Sequence, residues 1–219
     1  MSEFWERAEI VRDFAERAPD VRLAALLEAE GATFRRALDI GCAGGRNTVY
    51  LASRGIEVHA VDASSAMVAE TRRRLAEVVG EGPAAARVRQ RRMDDLGDYP
   101  DEHFDLVLAL GIWHSAASWP EWQRAVAEAT RVLVPEGRLL LSQFTPQTDL
   151  TGEGIRPVPG QPHSFAGFES GPAVLLDLET ILPALAQHGL EPVRPPEVLV
   201  TEKEVGRRVS VTAELIRRR

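Results

Sequence analysis

The sequence predicts an α/β fold in which a mostly parallel sheet lies between two layers of helices. Short apolar runs alternate with stretches of helical periodicity over much of the 219 residues. Two of these runs, 37–40 and 56–61, are separated by a glycine-rich turn and a helical stretch, which is typical of a β-α-β unit. Two alternating runs that begin at Val198 and Val209 flank a turn at 205–207, and they predict a C-terminal antiparallel hairpin. We therefore expect a three-layer αβα sandwich with a seven-stranded, mostly parallel sheet.

Length and composition exclude several classes of protein. A chain of 219 residues predicts one domain, and its net charge of -7 argues against a nucleic-acid partner held by general electrostatics. The single cysteine excludes an intramolecular disulfide and a cysteine-cluster metal site, and we predict no metal. No apolar stretch approaches 18 residues, and the N-terminus is charged and amphipathic rather than a signal peptide. These observations predict a cytoplasmic protein without a membrane partner.

Four segments are expected within the domain. Residues 1–34 read as N-terminal helices that act as a lid, with helical periods over 3–18 and 20–30. Residues 35–144 carry the alternating strands and helices of a binding core. Residues 145–172 are rich in proline and glycine and lack a clear period, which is typical of functional or disordered loops, and we interpret them as a substrate loop. Residues 173–219 complete the chain with a helix and the hairpin.

The residues that follow the first strand predict a nucleotide site. Three glycines, Gly41, Gly44 and Gly45, separate this strand from a helix, and they allow the backbone to approach a ligand at the helix N-terminus. The next strand ends in Asp62, whose carboxylate can accept hydrogen bonds from both ribose hydroxyls. A dinucleotide site needs a third glycine where this chain has Arg46, so the spacing favours another nucleotide. A turn that only connects two elements would not explain Asp62.

Read from Asp39, the turn is Asp-x-Gly-x-Ala-x-Gly, which resembles the Asp/Glu-x-Gly-x-Gly-x-Gly motif of class I S-adenosylmethionine-dependent methyltransferases. Ala43 replaces the middle glycine of that motif. The resemblance implies a Rossmann-like fold, S-adenosyl-L-methionine as cofactor and S-adenosyl-L-homocysteine as product. It also implies that Asp39 fixes the turn and approaches the methionine amino group, while Asp62 binds the ribose.

Further motifs extend the resemblance over 35–144: Asp-x-Ser-x-x-Met after the second strand, Phe-Asp-Leu-Val at the fourth, and Leu-x-Pro-x-Gly before the fifth. The helix after the turn looks most like the tellurite-resistance type and other small-molecule methyltransferases. Met67 would pack against the adenine or simply in the core, and Asp94, with Asp95 as the alternative, would accept a hydrogen bond from the adenine amino group. The positions so assigned to the cofactor are Asp39, Gly41, Ala43, Gly45, Asn47, Asp62, Ala63, Met67, Asp94, Asp95, Leu110 and Gly111.

The methyl acceptor is expected beyond the carboxyl ends of the strands, where open α/β sheets bind their ligands. The loop 111–115 follows the fourth strand there, so its backbone would meet the methionine part of the cofactor. Trp5 belongs to the expected lid. A single histidine is as often structural as functional, but His114 or His163 would serve as general base for an acceptor with a high pKa. The predicted substrate residues are Trp5, Trp113, His114, His163, Phe165 and Phe168.

Two other functions compete with methyl transfer to a small molecule. A nicotinamide-dependent Rossmann oxidoreductase is disfavoured by Arg46 and by the C-terminal hairpin. A cofactor-binding protein without catalysis finds its only support in Ala43. The sequence identifies neither the acceptor nor the oligomeric state.

Overall fold

The computed structural model describes residues 3–30, 33–152 and 154–218. Its strands in chain order are β1 Arg36–Ile40, β2 Glu57–Asp62, β3 Val88–Gln90, β4 Phe104–Leu110, β5 Leu133–Phe144, β6 Arg156–Pro157, β7 Ser164–Ala166, β8 Ala173–Val174, β9 Leu190–Pro192, β10 Glu197–Glu202 and β11 Arg207–Arg217. Its helices are α1 Ala8–Glu16, α2 Val21–Glu30, α3 Arg46–Ser53, α4 Ser65–Val79, α5 Glu81–Arg87, α6 Trp119–Val132 and α7 Leu178–Ala186. Two 3₁₀ turns cover Glu3–Glu6 and Trp113–Ser115.

The central sheet has the strand order β3-β2-β1-β4-β5-β11-β10, and the short strand β9 also pairs with β11. Strands β1 to β5 are parallel to one another, whereas β11 is antiparallel to β5, β9 and β10. The predicted α/β fold and C-terminal hairpin are therefore confirmed, with β9 as an eighth strand. Parallel strands end at one edge of the sheet, and β11 begins at that same edge because it runs in the opposite direction.

Helices cover both faces of this sheet. Leu23 of α2, Leu51 of α3 and Leu75 of α4 belong to the buried cluster on one face. Trp122 of α6 and Leu185 of α7 belong to the cluster on the other face. This arrangement is the predicted three-layer sandwich.

Helix α6 illustrates how the sequence specifies these elements. The Ser118 hydroxyl caps it by accepting a hydrogen bond from the Glu121 N–H. Trp122, Val126 and Ala129 recur at helical spacing on one face, and all three are fully buried against the sheet.

Three local predictions were wrong. The Val-Pro-Glu-Gly run at 134–137 is typical of a turn and predicts one, but these residues lie within β5, where Glu136 adopts a φ of 64° and the register with β4 shifts. The glycines and proline at 80–83 predict a loop, but α5 begins at Glu81. Residues 87–93, which hold four arginines, predict an edge strand, and this strand shortens to Val88–Gln90. This strand does lie at the sheet edge, as its charge predicts.

The segment 145–172 also contains more order than its composition indicates. Strands β6 and β7 of this segment form a small antiparallel sheet with β8, which follows the segment directly. The Gln143 side chain at the end of β5 donates a hydrogen bond to the Val174 carbonyl at 2.7 Å, which anchors this small sheet to the central one. Strands of two or three residues are too short to show a period, so the sequence could not reveal them.

No helix among the described residues is both long and apolar enough to cross a membrane.

Candidate functional site

The glycine-rich turn joins β1 to α3 with a backbone that favours glycine. Gly41 and Gly45 have φ angles of 70° and 80°, in the left-handed region that side chains disfavour. The Gly41 N–H donates to the Val61 carbonyl at 2.8 Å, which ties the turn to the end of β2. Ala43 also has a positive φ, 48°, which explains why a glycine is favoured at this position. Its methyl group is tolerated here, so the turn keeps its shape.

Asp62 is held at the end of β2 by the backbone. One carboxylate oxygen accepts the Ala43 N–H and the other accepts the Ser64 N–H, both at 2.9 Å. Burial raises the pKa of this carboxyl, while these two hydrogen bonds and one from Ala63 oppose the rise. Each oxygen keeps a further lone pair, so the carboxylate can accept two more hydrogen bonds in a fixed orientation.

Asp39 is a second buried carboxyl, on β1 just before the turn. It is 2% exposed and accepts a hydrogen bond from the Thr48 hydroxyl at 2.7 Å. Burial raises its pKa to about 6, although this hydrogen bond and the charge of Arg46 act in the opposite direction. A buried carboxylate in this state would be stabilised by a ligand cation placed beside it.

The glycines also allow close packing of the chain on itself. A Cβ on Gly41 would lie 2.5 Å from the Ile112 side chain, and one on Gly44 would lie 2.5 Å from the Ala15 backbone. Ala15 belongs to α1, so this helix lies directly on the turn. Asn47, at the start of α3, accepts the Asp20 N–H at 2.9 Å and thereby holds the loop between α1 and α2.

The first residues of the chain cover the neighbouring helix terminus. The Glu6 carboxylate accepts hydrogen bonds from the N–H groups of Ser65 and Ala66, both at 3.0 Å, and so caps α4. The Ser64 hydroxyl donates to the Trp5 carbonyl at 3.1 Å, and the half-buried Trp5 ring packs edge-on against the Phe4 and Phe14 rings. The 3₁₀ turn and α1 therefore lie over both Asp62 and the glycine turn.

An ion pair connects this covering segment to the insertion. The Arg7 guanidinium lies 2.5 Å from the Glu169 carboxylate, and both side chains are exposed. Exposed pairs contribute only about 0–1 kcal/mol, so this contact can open at little cost.

His114 lies in the loop that follows β4, beside the end of β5 from which the insertion starts. Its ring stacks on Phe144 at the end of β5, with centroids 3.8 Å apart and planes 9° apart. Its Nδ1 is buried and has no hydrogen-bond partner among the described residues. Burial, and then the charge of Arg208, lowers the pKa of His114 to about 3, so the imidazole is neutral at physiological pH.

Trp113 does not line an open pocket, contrary to our expectation. Its side chain is fully buried and packs edge-on against Trp122, with ring centroids 5.9 Å apart. The 3₁₀ turn at Trp113–Ser115 directs this large side chain into the core and leaves the adjacent His114 half-buried.

Of the substrate residues predicted in the insertion, Phe165 lies on β7 of the small sheet, and His163 and Phe168 lie on the turns beside it. The His163 ring contacts Trp119, at the start of α6, with centroids 4.8 Å apart. Phe165 and Phe168 are both half-buried, and Phe168 immediately precedes the residue that pairs with Arg7. The structure records no contact between the rings of His114 and His163.

The remaining predicted cofactor positions differ in accessibility. Met67 is 1% exposed within α4, whereas Leu110 and Ala63 are half-buried and Gly111 is exposed. The Ala63 carbonyl accepts a hydrogen bond from Gln90, and Gly111 has a φ of 83°.

Asp94 is engaged elsewhere. Its two carboxylate oxygens pair with Arg92 and Arg124, each at 3.0 Å. Asp95 is exposed and forms no ion pair within the described part of the chain, so it is the better placed of the two to accept a hydrogen bond from a ligand.

Sequence reasoning missed several residues of this site. Glu6 and Ile112 carry no motif, and their roles follow only from which elements the fold brings together. Phe144 is recognisable as a strand end, yet its stacking on His114 is a tertiary contact. Arg208 appears in the sequence only as one arginine at the start of a strand.

The chain matches known proteins over the region that forms this site. Residues 38–141, just under half of the chain, match the family described as "Methyltransferase domain". An uncharacterized methyltransferase of Mycobacterium tuberculosis is 34% identical over 108 residues, which are 49% of this chain and 39% of that protein. The malonyl-[acyl-carrier protein] O-methyltransferase of Halorhodospira halophila is 36% identical over 131 residues, 58% of this chain and 41% of that protein. The chain thus spans about two fifths of these curated relatives.

Solved structures agree on the fold. The Burkholderia thailandensis 1,6-didemethyltoxoflavin-N1-methyltransferase, crystallised with bound 1,6-didemethyltoxoflavin and S-adenosylhomocysteine, superposes with a TM-score of 0.65 at 20% identity. That alignment covers 99% of this chain and 82% of the other. At such identity the similarity establishes the architecture alone.

Proposed function

We propose that this chain, which matches the methyltransferase-domain family over residues 38–141, is a class I S-adenosylmethionine-dependent methyltransferase that transfers a methyl group to a small-molecule acceptor. The observation that carries the proposal is the pair of buried carboxyls beside the glycine turn. Two backbone N–H groups hold the Asp62 carboxylate, which can still accept further hydrogen bonds. Burial raises the pKa of Asp39, which forms no ion pair with any described residue. A ribose and an ammonium group satisfy these two carboxyls.

Each segment has a role in this proposal. Residues 35–144 bind the cofactor, 1–34 form the lid, 145–172 form a wall for the acceptor, and 173–219 complete the sheet. The cofactor residues are those predicted from the sequence, with Asp95 rather than Asp94 at the adenine. When bound, S-adenosylmethionine supplies a methyl group on a sulfonium, which is already a good leaving group.

The protein contributes alignment and exclusion of water rather than strong acid–base chemistry. Helix α1 and the 3₁₀ turn before it cover the glycine turn from one side. The insertion contacts this covering segment through the ion pair of Arg7 and Glu169. A pKa of about 3 makes His114 a weak base, so we assign it to packing and orientation of the acceptor. His163 is the remaining candidate for a general base.

The proposal is tested by turnover. Purified protein is incubated with S-adenosylmethionine and a library of small-molecule acceptors, and S-adenosylhomocysteine is quantified by mass spectrometry. We expect release that depends on an acceptor and that falls at least tenfold in Asp62→Asn. Binding of S-adenosylhomocysteine without turnover on any acceptor would favour the non-catalytic alternative, and binding of NADH instead would favour the oxidoreductase. Cell fractionation tests the cytoplasmic location, which is part of the same proposal.

A further inference from the structure

A group of arginines gathers at the carboxyl edge of the sheet, beside the predicted acceptor site. Arg208 is the second residue of β11, and β11 is antiparallel to β5, with Ser210 opposite Phe144. Arg208 therefore lies two residues from the strand position beside the ring on which His114 stacks. The charge of Arg208 also acts on His114.

Three further arginines lie around the loop between α1 and α2. Arg46 donates to the Ala18 carbonyl at 2.9 Å, and Arg22 pairs with Asp20 at 2.6 Å. Arg17 lies over the Phe14 ring at 3.9 Å from its centroid. These three side chains therefore have partners within their own loop and helices.

Arg208 differs from these three because its charge has no partner. The guanidinium is half-buried and forms no hydrogen bond or ion pair with any residue that the structure describes. Partial burial lowers its pKa, and the charges of Arg17, Arg46 and Arg22 lower it further, while Asp20 opposes them. Since its N–H groups have no partner among the described residues, they are available to an anion that binds there.

The neighbouring Arg207 provides a comparison, because its side chain is exposed to solvent. Arg207 is exposed and donates to the Gln147 carbonyl at 3.3 Å. Successive side chains of a strand point to opposite faces of the sheet, so the Arg207 and Arg208 side chains, which have the same charge, lie in different surroundings. The chain as a whole has a net charge of -7, so the cluster is a local feature and not a general excess of cations.

We propose that Arg208 binds a carboxylate group of the methyl acceptor, so that the substrate is a small carboxylic acid. This inference rests on the proposed methyl transfer and identifies its substrate class. The planar guanidinium matches a carboxylate with two parallel hydrogen bonds, and the charge of Arg46, which forms no ion pair with a described carboxylate, helps to attract the anion. The neutral His114 ring beside it adds no competing charge. The methionine part of the cofactor also carries a carboxylate, and the test separates the two sources.

The test begins with S-adenosylhomocysteine bound to the wild-type protein. If the wild-type protein does not bind S-adenosylhomocysteine, the proposed function is wrong, and the inference about Arg208 fails together with the proposed function. The loaded protein is then titrated by calorimetry with malonate, benzoate and indole-3-acetate, and with malonamide, benzamide and indole-3-acetamide as neutral counterparts. We expect at least one acid to bind at least tenfold more tightly than its amide.

Two matched variants assign the effect to one side chain. Arg208→Gln should weaken binding of that acid at least tenfold and leave the affinity for S-adenosylhomocysteine within twofold of wild type. Arg207→Gln removes an equal charge one residue away and should change neither affinity. Arg208→Lys keeps the charge without the planar fork, and it should bind the acid with intermediate affinity even if the glutamine variant folds poorly.

Three results would overturn the proposal. If Arg208→Gln weakens S-adenosylhomocysteine itself, the anion is the carboxylate of the cofactor. If both glutamine variants weaken the acid equally, the effect is general electrostatics. If no acid binds more tightly than its amide, the site does not select a carboxylate.

Discussion

Replacing Asp62 by asparagine should weaken cofactor binding without unfolding the protein. The two carboxylate oxygens accept backbone N–H groups from Ala43 and Ser64 at 2.9 Å, and these contacts fix the direction of the remaining lone pairs. In Asp62→Asn, one oxygen becomes an NH₂ group, which meets a donor N–H and cannot accept from a ribose hydroxyl.

The size of the effect follows from the hydrogen bonds that are lost. A hydrogen bond to a charged group contributes about 1.5–3 kcal/mol, which corresponds to a decrease of about 10- to 150-fold in affinity. Isothermal titration with S-adenosylhomocysteine measures this decrease directly. The folded protein also loses one backbone contact, so we expect a stability loss of about 1–3 kcal/mol and measure it by thermal unfolding.

Glu57→Gln provides the control, since Glu57 is an exposed carboxylate at the opposite end of the same strand. It should leave both affinity and stability near those of the wild type. An Asp62→Asn protein that is folded and binds S-adenosylhomocysteine within threefold of wild type would refute the assignment of Asp62 to the ribose.

Three further predictions concern the same site. Because burial raises the pKa of Asp39 from 3.8 to about 6, the fold loses stability as pH rises between these two values, so Asp39→Asn should gain about 1–2 kcal/mol at pH 7.5 and little at pH 4. Thermal unfolding at both pH values checks this, and in calorimetry the wild type, unlike the variant, should bind S-adenosylhomocysteine more tightly as pH rises through 6. Ala43→Gly should stabilise the protein by about 0.5–1 kcal/mol in denaturant unfolding, because a φ of 48° costs alanine more than glycine loses in chain entropy. Ala85→Gly, on the exposed side of α5, should instead destabilise the protein by about 1 kcal/mol. If both substitutions changed the stability in the same direction, the backbone of Ala43 would not be strained. Since the pKa of His114 is about 3, the pH profiles of kcat/KM for wild type and His114→Asn should have the same shape between pH 5 and 8, and a step near 6.5 that only the wild type shows would restore His114 as the base.

The parts of the fold that the sequence predicted are those set by local periodicity. Apolar strands such as 37–40 and the alternating hairpin at 198 and 209 each carry their own signal, which predicts that they join the sheet. Strands β1 and β11 are buried in it, whereas β10 lies at its edge and is mostly exposed. The edge position of β3 was predictable because four arginines do not fit a central strand.

The errors occur where tertiary contacts override local signals. Residues 134–137 look like a turn, yet pairing with β4 draws them into β5 with one strained residue. The short strands β6, β7 and β8 exist because Gln143 and their mutual pairing hold them, and two or three residues contain no readable period.

In the candidate site, too, some features follow from local sequence patterns and others only from tertiary contacts. The glycine turn and Asp62 are contiguous patterns, so their neighbourhood was evident before the structure. Arg208 and His114 are 94 positions apart in the numbering, and only the antiparallel insertion of β11 beside β5 brings them to one edge. Trp113 and His114 are adjacent, and only the 3₁₀ turn decides which of them enters the core.

The most direct test of this account is a calorimetric titration of the wild-type protein with S-adenosylhomocysteine, with NADH titrated in parallel. We predict binding of one S-adenosylhomocysteine per chain at micromolar affinity and no heat from NADH. A folded sample that binds no S-adenosylhomocysteine, or that binds NADH in its place, would contradict the claim that the turn between β1 and α3 holds this cofactor.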